Sequence, residues 1–307
     1  MIRITISIVN YKGNKNTKEC IESLSKLDLF GIALSVVVVN NSQEGRFSSN
    51  LVHNNQFQDK ITIIDNKQNL GFSEGHNIVI KNALKNGEEY VLLLNNDTIV
   101  DKNLLLELLK ALESDKKVGI AVPKIYFAKG YEFHKMRYKK EELGKVFWYA
   151  GGIIDFKNVI GFHKGVDEVD NGQYDRQEET EIATGCCMLV KKDVFESIGY
   201  FNKQYFLYYE DADFSIRAKK AEYTIIYVPT SVLWHKNASA AGGSGSTLQD
   251  YYITRNRLMF GIQYAPIRSK VALLKESITL LFWGRKWQKI GVIDYFFRNF
   301  GKGSYNQ

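Results

Sequence analysis

Cysteine is scarce in this 307-residue sequence, and so are segments that would carry the chain into or across a membrane. The three cysteines are an odd number, and Cys186 and Cys187 are adjacent, so they cannot easily form a disulfide with each other. We therefore expect Cys20, Cys186 and Cys187 to be reduced thiols in a cytoplasmic protein. Met1 to Asn10 lacks the composition of a signal peptide, and no apolar run reaches the about 18 residues of a membrane-spanning helix.

The formal net charge of +7 is unevenly distributed. Tyr251 to Gln307 contains ten Lys and Arg and two acidic residues, a net charge of +8, so the remainder carries −1. The same segment contains the apolar residues Leu280, Leu281, Phe282, Trp283, Trp287, Phe296 and Phe297. Basic amphipathic helices are typical of proteins that lie on an anionic membrane surface. The alternative is that these side chains pack on the rest of the chain or on a second subunit.

Short apolar runs alternate with helical patterns along the first hundred residues. The predicted strands are Ile4–Val9, Leu34–Val39, Ile61–Ile64 and Tyr90–Leu94, and the predicted helices are Asn16–Leu27 and Glu74–Asn86. Uninterrupted apolar strands indicate a sheet covered on both faces. Their alternation with helices predicts an α/β fold with a Rossmann-like, mostly parallel central sheet.

Ligands of such sheets bind beyond the carboxyl ends of the strands. We therefore expect one site formed by four polar loops, Asn10–Lys12, Asn40–Ser42, Asn66–Gly75 and Asn95–Asp97. The glycines of the third loop fit neither G-x-G-x-x-G nor a P-loop, but glycine allows the backbone to approach a ligand closely.

The second half of the chain continues the pattern less regularly. Its predicted strands are Val118–Tyr126, Ile182–Val190 and Thr224–Val228. One predicted helix ends at Leu112, a short one lies near Asp193, and a third spans Ala212–Glu222. Tyr131–Tyr149 is predicted to be an excursion from the sheet. Ala238–Ser246 (ASAAGGSGS) predicts a hinge or mobile loop. We expect a catalytic domain at 1–237, with a donor half at 1–100 and an acceptor half at 101–237. Residues 238–307 would add the flexible loop and a basic, aromatic helical extension.

Acidic residues in two segments could carry chemistry. Asp97 follows the strand in LLLNNDT, where a buried carboxylate needs a partner. A divalent cation on a diphosphate would supply one, although a turn or helix-cap aspartate is also common at this position. Glu210, Asp211 and Asp213 open a helix after an apolar run. Negative charge is favourable there, but apolar surroundings can also raise a carboxyl pKa towards that of a general base.

Eight segments, in order along nearly the whole chain, resemble family 2 of the glycosyltransferases, with its GT-A fold, and especially its rhamnosyltransferase-like members. The segments are Ile6–Lys12, Val37–Gly45, Asn69–Asn77, Leu92–Thr98, Thr184–Asn202, Phe206–Arg217, Val232–Ala240 and Tyr251–Leu258. The resemblance implies an inverting, metal-dependent transfer of a sugar, with rhamnose as a candidate, from a dTDP- or UDP-sugar. The acceptor would be a hydroxyl of a glycan or lipid-linked oligosaccharide in cell-surface polysaccharide synthesis.

The resemblance also implies a role for individual residues. The donor would be bound by Val9, Asn10, Tyr11, Asn40, Asn69, Gly71, Phe72, Asn77, Asn95, Asn96 and Asp97, and the acceptor by Gly185, Cys186, Tyr209 and Arg255. Mn²⁺ or Mg²⁺ would be held by Asp97 and His235. Asp211 would be the catalytic base with the support of Glu210, while Asp213 would stabilise its own helix and loop.

Two positions depart from the family pattern. Many relatives have Asp where Asn40 stands, which would alter recognition of the base, and the metal triplet begins with Asn95 instead of Asp, which leaves fewer charged ligands. Two rival classes stay open: a nucleotidyltransferase-like α/β enzyme, although Asn10–Gly13 makes a poor phosphate loop, and an inactive module that binds a nucleotide sugar or glycan. We expect no nucleic-acid partner, because the basic residues are confined to the tail, and we keep a homo-oligomer open.

Overall fold

The computed structural model describes residues 1–42, 45–48, 60–237 and 245–305. Most of the predicted hinge, Ala238–Ser246, therefore lies outside the described residues. In chain order the first elements are β1 (Ile2–Asn10), α1 (Asn14–Leu24), β2 (Ile32–Asn40), β3 (Ile61–Asp65), α2 (Gly71–Lys85), β4 (Tyr90–Asn95), β5 (Thr98–Val100) and α3 (Leu104–Glu113). Each strand and helix predicted for this half begins and ends within three residues of the observed element.

The second half begins with a long strand and a set of short ones. Its elements are β6 (Val118–Phe127), a 3-10 helix (Lys135–Arg137), β7 (Phe147–Tyr149), β8 (Gly152–Asp155), β9 (Ile160–His163), β10 (Glu178–Glu179), β11 (Cys187–Lys191), α4 (Lys192–Ile198), α5 (Glu210–Lys220) and β12 (Thr224–His235). β12 continues seven residues past the predicted end at Val228. The predicted strand Ile182–Val190 is observed only from Cys187 onwards.

The main sheet has the strand order β10-β12-β6-β11-β4-β1-β2-β3, with β5 on β12 and β7 on β6. The neighbours β4, β1, β2 and β3 are all parallel, as predicted, and β12 is parallel to β6. β11 is an exception, because it runs antiparallel to both β4 and β6. The start of β11 therefore lies at the edge of the sheet where β4 ends.

Packing explains why the strands of the parallel region read as unbroken apolar runs. Every residue from Tyr90 to Leu94 of β4 is buried, because helices cover both faces of the sheet. The register pairs Asn10 with Asn40 and Val9 with Asn95. The asparagines that end β1, β2 and β4 are thus neighbours at one edge.

The chain after residue 244 is helical, as expected. It forms α6 (Thr247–Tyr264), α7 (Ile267–Trp283) and α8 (Lys286–Phe296), and α6 starts with a cap in which Ser246 Oγ accepts from Gln249 N at 3.3 Å. Leu280, Leu281 and Trp287 pack into apolar clusters of the protein. Among the described helices, none combines the length and hydropathy needed to cross a bilayer.

Candidate active site

A network of side-chain amides fills the edge where β1, β2 and β4 end. Asn10 is fully buried at its centre. Its Nδ2 donates to Asn40 Oδ1 and Asn14 Oδ1, both at 2.9 Å, and its Oδ1 accepts from Thr17 Oγ1 at 3.0 Å. Buried polar groups are costly unless they are paired, and this network pairs them with one another. The edge is therefore rigid before any ligand arrives.

Asn40 is predicted to recognise the donor, a role that stays a prediction, and its side chain is bonded within the protein. Its Oδ1 accepts from Asn10 Nδ2 and from Phe47 N, while its Nδ2 donates to Phe47 O at 2.9 Å and to Asp65 Oδ1 at 2.8 Å. Both donors and both acceptor positions of the amide are thus used within the protein. Asn40 fixes the end of β2 and the loop behind it.

Sequence reasoning missed two residues of this edge. Asn96 Nδ2 donates to Thr17 Oγ1 at 2.9 Å, and it lies within 3.5 Å of Asn10 Oδ1 and Gly13 O. A Cβ on Gly13 would come within 2.6 Å of Asn96 Nδ2, so the loop after β1 needs glycine there. Thr17, one turn into α1, and Gly13 thereby hold Asn96 towards β1. Their nearness to Asn10 in the sequence was the available signal.

Asp97 and His235, both predicted metal ligands, meet at this edge although 138 positions separate them. Asp97 Oδ1 and His235 Nε2 are 3.0 Å apart, and the two side chains are 13% and 6% exposed. β5, which follows Asp97 directly, pairs with the end of β12 and brings Thr98 opposite His235. Trp148, which sequence reasoning left in an excursion, packs its ring 4.6 Å from that of His235.

The predicted catalytic base, Asp211, is linked to this edge of the sheet by hydrogen bonds through residues 185 and 186. Gly185 N donates to Asp211 Oδ2 at 3.0 Å, and Ala212 N donates to Asp211 Oδ1 at 2.8 Å. The next residue, Cys186, accepts at its carbonyl from Asn95 N at 2.9 Å. Residues 185 and 186 thus join Asp211 to the edge that carries Asn95, Asn96 and Asp97.

Burial sets the acid–base properties of the acidic pair. Burial raises the pKa of Asp211, and the backbone N–H groups of Gly185 and Ala212 oppose that rise. The pKa of Glu210 lies well above its ordinary value because of burial and, secondarily, the charge of Asp211. Glu210 is 5% exposed, and among the described residues its Oε2 has no hydrogen-bond partner. Of the two acids, Glu210 is therefore the harder one to ionise while Asp211 is charged.

Asp213 belongs to the helix and not to the reactive group, as expected. Arg217 Nε donates to its Oδ2 at 2.8 Å, and Tyr264 OH donates to its Oδ1 at 2.7 Å. Both carboxylate oxygens are thus engaged by α5 itself and by α6. This leaves Glu210 and Asp211 as the acidic residues available at the site.

Three residues of the predicted donor pocket instead hold the segment before Asp211. Gly71 has a φ of +75°, and a Cβ there would lie 2.3 Å from Phe206 O, to which Phe72 N donates at 2.9 Å. Asn77 is 3% exposed, and its amide makes hydrogen bonds of 2.9 and 3.0 Å with the O and N of Phe201. These groups are buried against the 201–206 segment, and the donor role of Gly71 and Asn77 stays a prediction. The ring of Phe72 packs on Gly185, where a Cβ would lie 2.8 Å away.

Two predicted acceptor residues are also engaged within the protein. Arg255 is fully buried and donates to Asn256 Oδ1, Tyr251 OH and the carbonyls of Asn299 and Gln204. Its guanidinium is thus engaged by protein groups, and its role in acceptor binding stays a prediction. Tyr209 donates from its hydroxyl to Val159 O at 3.0 Å, and its ring is partly buried.

The cysteines are free and buried, which agrees with reduced thiols. Burial raises the pKa of Cys20 to about 12 and also raises the pKa of Cys186 and of Cys187. Thiols with raised pKa values are poor nucleophiles. Cys186 is 3% exposed, so it can contribute its backbone more readily than its sulfur to an acceptor site. The donor roles of Val9, Tyr11 and Asn69 stay predictions.

The mixed sheet, the Asp97–His235 pair and the buried acidic pair together define the class of GT-A glycosyltransferases. Residues 5–199 match the family described as Glycosyl transferase family 2, and residues 171–299 match Glycosyl transferase family group 2. The first match spans more than half of the chain, so the chain belongs to glycosyltransferase family 2. It is a hexosyltransferase that uses a nucleotide-sugar donor.

Curated relatives share this assignment at modest identity. The chain is 27% identical over 257 residues, 83% of its own length and 74% of the relative's, to the low-salt glycan biosynthesis hexosyltransferase Agl10 of Haloferax volcanii. It is 37% identical over 59 residues to an N-acetylglucosaminyl-diphospho-decaprenol L-rhamnosyltransferase of Mycobacterium tuberculosis, which is only 19% of each chain.

Solved structures of low identity show the same fold. GalNAc-T7, solved with UDP, GalNAc and Mn²⁺, superposes with a TM-score of 0.65 at 13% identity, over 97% of this chain and 55% of that one. The mannosyltransferase PcManGT of Pyrobaculum calidifontis, solved with GDP-Man and Mn²⁺, gives 0.55 at 15% identity, over 99% of this chain and 76% of that one. Both confirm the GT-A fold.

Proposed function

We propose that Asp211 is the general base of an inverting, metal-dependent sugar transfer. The observation that carries this proposal is its position: a carboxylate whose two oxygens accept backbone N–H groups, beside a Glu210 whose pKa is raised by burial. Asp211 would accept the proton of the acceptor hydroxyl while that oxygen attacks the anomeric carbon. The nucleoside diphosphate would leave from the opposite face, as in single-displacement glycoside chemistry.

The residues at the edge of β4 fit a divalent cation. Asp97 Oδ1 and His235 Nε2 are 3.0 Å apart, close enough to share either a proton or a cation. His235 Nδ1 is buried and has no hydrogen-bond partner among the described residues. Within that part of the chain no cluster of three or more His, Cys, Asp or Glu side chains could hold a metal. A Mn²⁺ or Mg²⁺ held by these two residues and by the donor's phosphates would stabilise the negative charge of the leaving diphosphate.

The donor and acceptor follow from the relatives. We propose a dTDP- or UDP-sugar donor, with rhamnose as the first sugar to test, and a glycan or lipid-linked oligosaccharide acceptor in polysaccharide biosynthesis. One relative's name states rhamnosyl transfer to a diphospho-decaprenol acceptor, and another's states glycan biosynthesis. Thermal-shift screening with UDP-, dTDP- and GDP-sugars in the presence of Mn²⁺ would identify the donor. Stabilisation by a GDP-sugar alone would contradict this choice.

The test of the catalytic proposal compares Asp211→Asn with the wild type. We expect transfer to fall by about 10²–10⁴-fold, the usual contribution of a general base, while donor binding measured by calorimetry with Mn²⁺ stays within about twofold. Asp213→Asn serves as the matched control, because its carboxylate is engaged by Arg217 and Tyr264. Near-normal turnover by Asp211→Asn would overturn the assignment of the base. Wild-type activity that a chelator leaves unchanged would overturn the role of the cation.

We also propose that α7 docks on an anionic membrane surface. Its inward face is formed by Ser269, Leu273 and Ser277, which are buried. A second stripe faces solvent: Ile267, Val271, Leu274, Ile278 and Phe282 are 73, 45, 38, 56 and 65% exposed. Their spacing of three and four residues places them on one side of the helix. This stripe is the solvent stripe of α7.

Charge selects the occupant of the solvent stripe. At 100° per residue Lys270 lies on one flank of the stripe, and Arg268 and Lys275 lie on the other. Phospholipid headgroups offer apolar and anionic contacts in that arrangement, whereas a second copy would bring the same positive flanks against each other. Trp283, 80% exposed at the end of α7, adds an aromatic anchor of the kind found at membrane interfaces.

Sedimentation with vesicles tests the docking surface. Vesicles of phosphatidylcholine with phosphatidylglycerol should bind the intact chain more tightly than phosphatidylcholine alone, and 0.5 M salt should weaken binding. Ile278→Ser with Phe282→Ser should reduce binding at least tenfold. Phe30→Ser, at a site 88% exposed outside the tail, is the control. Equal binding of the double variant, or a salt-resistant dimer that the double variant dissociates, would overturn the proposal.

A further inference from the structure

The loop that ends at the acidic pair contains two consecutive residues in a strained backbone conformation. Tyr208 and Tyr209 have φ values of +70° and +72°. Residues with a Cβ rarely adopt this region, because it is sterically strained for them. Such residues persist only where neighbouring groups fix the chain on both sides. Asp213 N donates to Tyr209 O at 2.9 Å, so the orientation of Tyr209 also determines how α5 begins.

A single buried amide fixes the two peptide groups around Tyr208. Asn256, in α6, is fully buried, and its Nδ2 donates to Leu207 O at 2.8 Å and to Tyr208 O at 2.9 Å. These carbonyls belong to the peptide groups immediately before and after Tyr208. Holding both in place fixes the dihedral angles of Tyr208. Asn256 Oδ1 accepts from Arg255 Nε at 3.0 Å, which fixes the direction of the amide.

The rest of the loop is held from both sides. Towards α6, Arg255 Nη2 donates to Gln204 O at 3.4 Å. Towards α2, Ser73 Oγ donates to Tyr205 O at 2.6 Å and Phe72 N donates to Phe206 O at 2.9 Å. The contacts from α2 end at Phe206. Among the contacts of the described residues, the carbonyls of Leu207 and Tyr208 are met by Asn256.

We infer that Asn256 is a positioning residue that holds the 207–209 turn so that α5 presents Asp211 to the acceptor hydroxyl. This inference rests on the proposed role of Asp211 as base. The hydrogen bonds of the Asn256 side chain to described residues go to Arg255, Leu207 and Tyr208, so its effect should fall on the chemical step and not on donor binding. A misplacement of about 1 Å in a reacting group can reduce the rate by about a hundredfold.

The experiment uses the full chain with two substitutions of different chemistry. Asn256→Ala removes the amide, and Asn256→Asp keeps its size and its acceptor for Arg255 but replaces the donating group with an oxygen that repels both carbonyls. We expect kcat to fall by about a hundredfold in each, with the KM for the donor within about twofold. Gln263→Ala is the matched control, because this exposed amide on α6 donates to its neighbour, Tyr264 OH, at 2.9 Å and holds no backbone carbonyl among the described residues.

Amide hydrogen exchange supplies a second readout. Peptides covering 204–211 should exchange at least tenfold faster in both Asn256 variants, while peptides from β1 and β4 keep wild-type rates. Normal kcat and normal exchange in either variant would overturn the inference, and so would a uniform rise in exchange across the protein, which would show general destabilisation. A third outcome separates the two proposals. If the Asn256 variants exchange fast at 204–211 but keep a normal kcat, and Asp211→Asn also keeps a normal kcat, the turn is held as described but the proposed base is wrong.

Discussion

The two sides of the candidate active site are built in opposite ways. At the ends of β1 and β2, Asn10 and Asn40 are fully buried and their amides are bonded within the protein. At the start of α5, Glu210 is equally enclosed, but one of its carboxyl oxygens has no partner among the described residues and its pKa is raised. The preceding turn carries left-handed backbone at Tyr208 and Tyr209.

This difference indicates that one side of the site stabilises the structure and the other takes part in the reaction. A buried polar group with all its partners lowers the energy of the folded state and resists movement. A buried acid without partners costs stability, and proteins keep such groups where a perturbed pKa serves a reaction. We therefore propose that the amide edge shapes the donor side and that the acidic turn is the side where a proton is moved. The following changes should affect the two sides differently.

Asp97→Ala should have the largest effect on activity. Loss of this carboxylate removes one of the two side chains that would hold the cation, and we expect metal-dependent donor affinity to fall by roughly a hundredfold or more. Titration calorimetry with and without Mn²⁺ measures it directly. Asp101→Ala is the control, because that carboxylate accepts only from Asn103 N in a turn. Equal donor affinity in Asp97→Ala and the control would contradict the role of Asp97.

Asn10→Ala should chiefly affect stability. It leaves Asn40 Oδ1 with one partner fewer and removes the acceptor of Thr17 Oγ1, and a buried group left without its partner costs about 1–3 kcal/mol. Urea denaturation should show a loss of that size. Asn171→Ala, at an exposed turn, should change the free energy of unfolding by less than about 0.5 kcal/mol. A similar small change for Asn10→Ala would show that the amide edge is not a support.

Glu210→Gln should act in the other direction at neutral pH. Because the folded pKa of Glu210 is raised, its contribution to stability is present at low pH and is lost as the pH rises towards the folded pKa. Glutamine carries no such penalty, so the variant should unfold at a higher temperature than the wild type at pH 8 and at a similar temperature at pH 4. Melting curves at the two pH values test this. A variant that is less stable at pH 8 would show that ionised Glu210 is stabilised by partners.

The smallest effect concerns the pH profile. Asp211 must be ionised to accept a proton, and burial raises its pKa above the ordinary value of 3.8. The acid limb of kcat/KM should therefore lie above that of a solvent-exposed aspartate, with activity falling as the pH is lowered through it. Glu210→Gln should leave the limb in place, because the charge of Asp211 raises the pKa of Glu210 and Glu210 is therefore still neutral when Asp211 titrates. A limb that moves to lower pH in this variant would show that Glu210 ionises before the base.

The fold was largely readable from the sequence, because buried parallel strands leave unbroken apolar runs. Ile61–Ile64 and Tyr90–Leu94 are each observed within one residue of their predicted ends. The direction of β11 was not readable, since an apolar run does not encode whether its neighbours are parallel. Two-residue pairings such as β10 leave no periodic signal at all.

The site was readable only in part. Asp97 and His235 were predicted together and are in contact. The roles of the asparagines and of Arg255 were harder to predict. An amide or guanidinium uses the same atoms to bind a ligand as it uses to bind a backbone carbonyl. Only the fold decides which partner is within reach: Asn77 meets Phe201, and Arg255 meets Gln204. Asn256, adjacent to Arg255 in the sequence, had no signal beyond its place in a matching segment.

The reversed direction of β11 has a consequence for how acceptor preference can change. β6 and β11 are adjacent strands that run antiparallel, so the connection between them, residues 128–186, starts and ends at the same edge of the sheet, and it adds β7 and β10 to that sheet. That insert carries Trp148 to His235 and ends at Gly185 beside Asp211. Both ends of the insert are fixed by the sheet, and connections of this kind vary more among related proteins than the strands they join. We therefore propose that grafting this insert onto a related enzyme would change its acceptor preference while the donor side keeps its form.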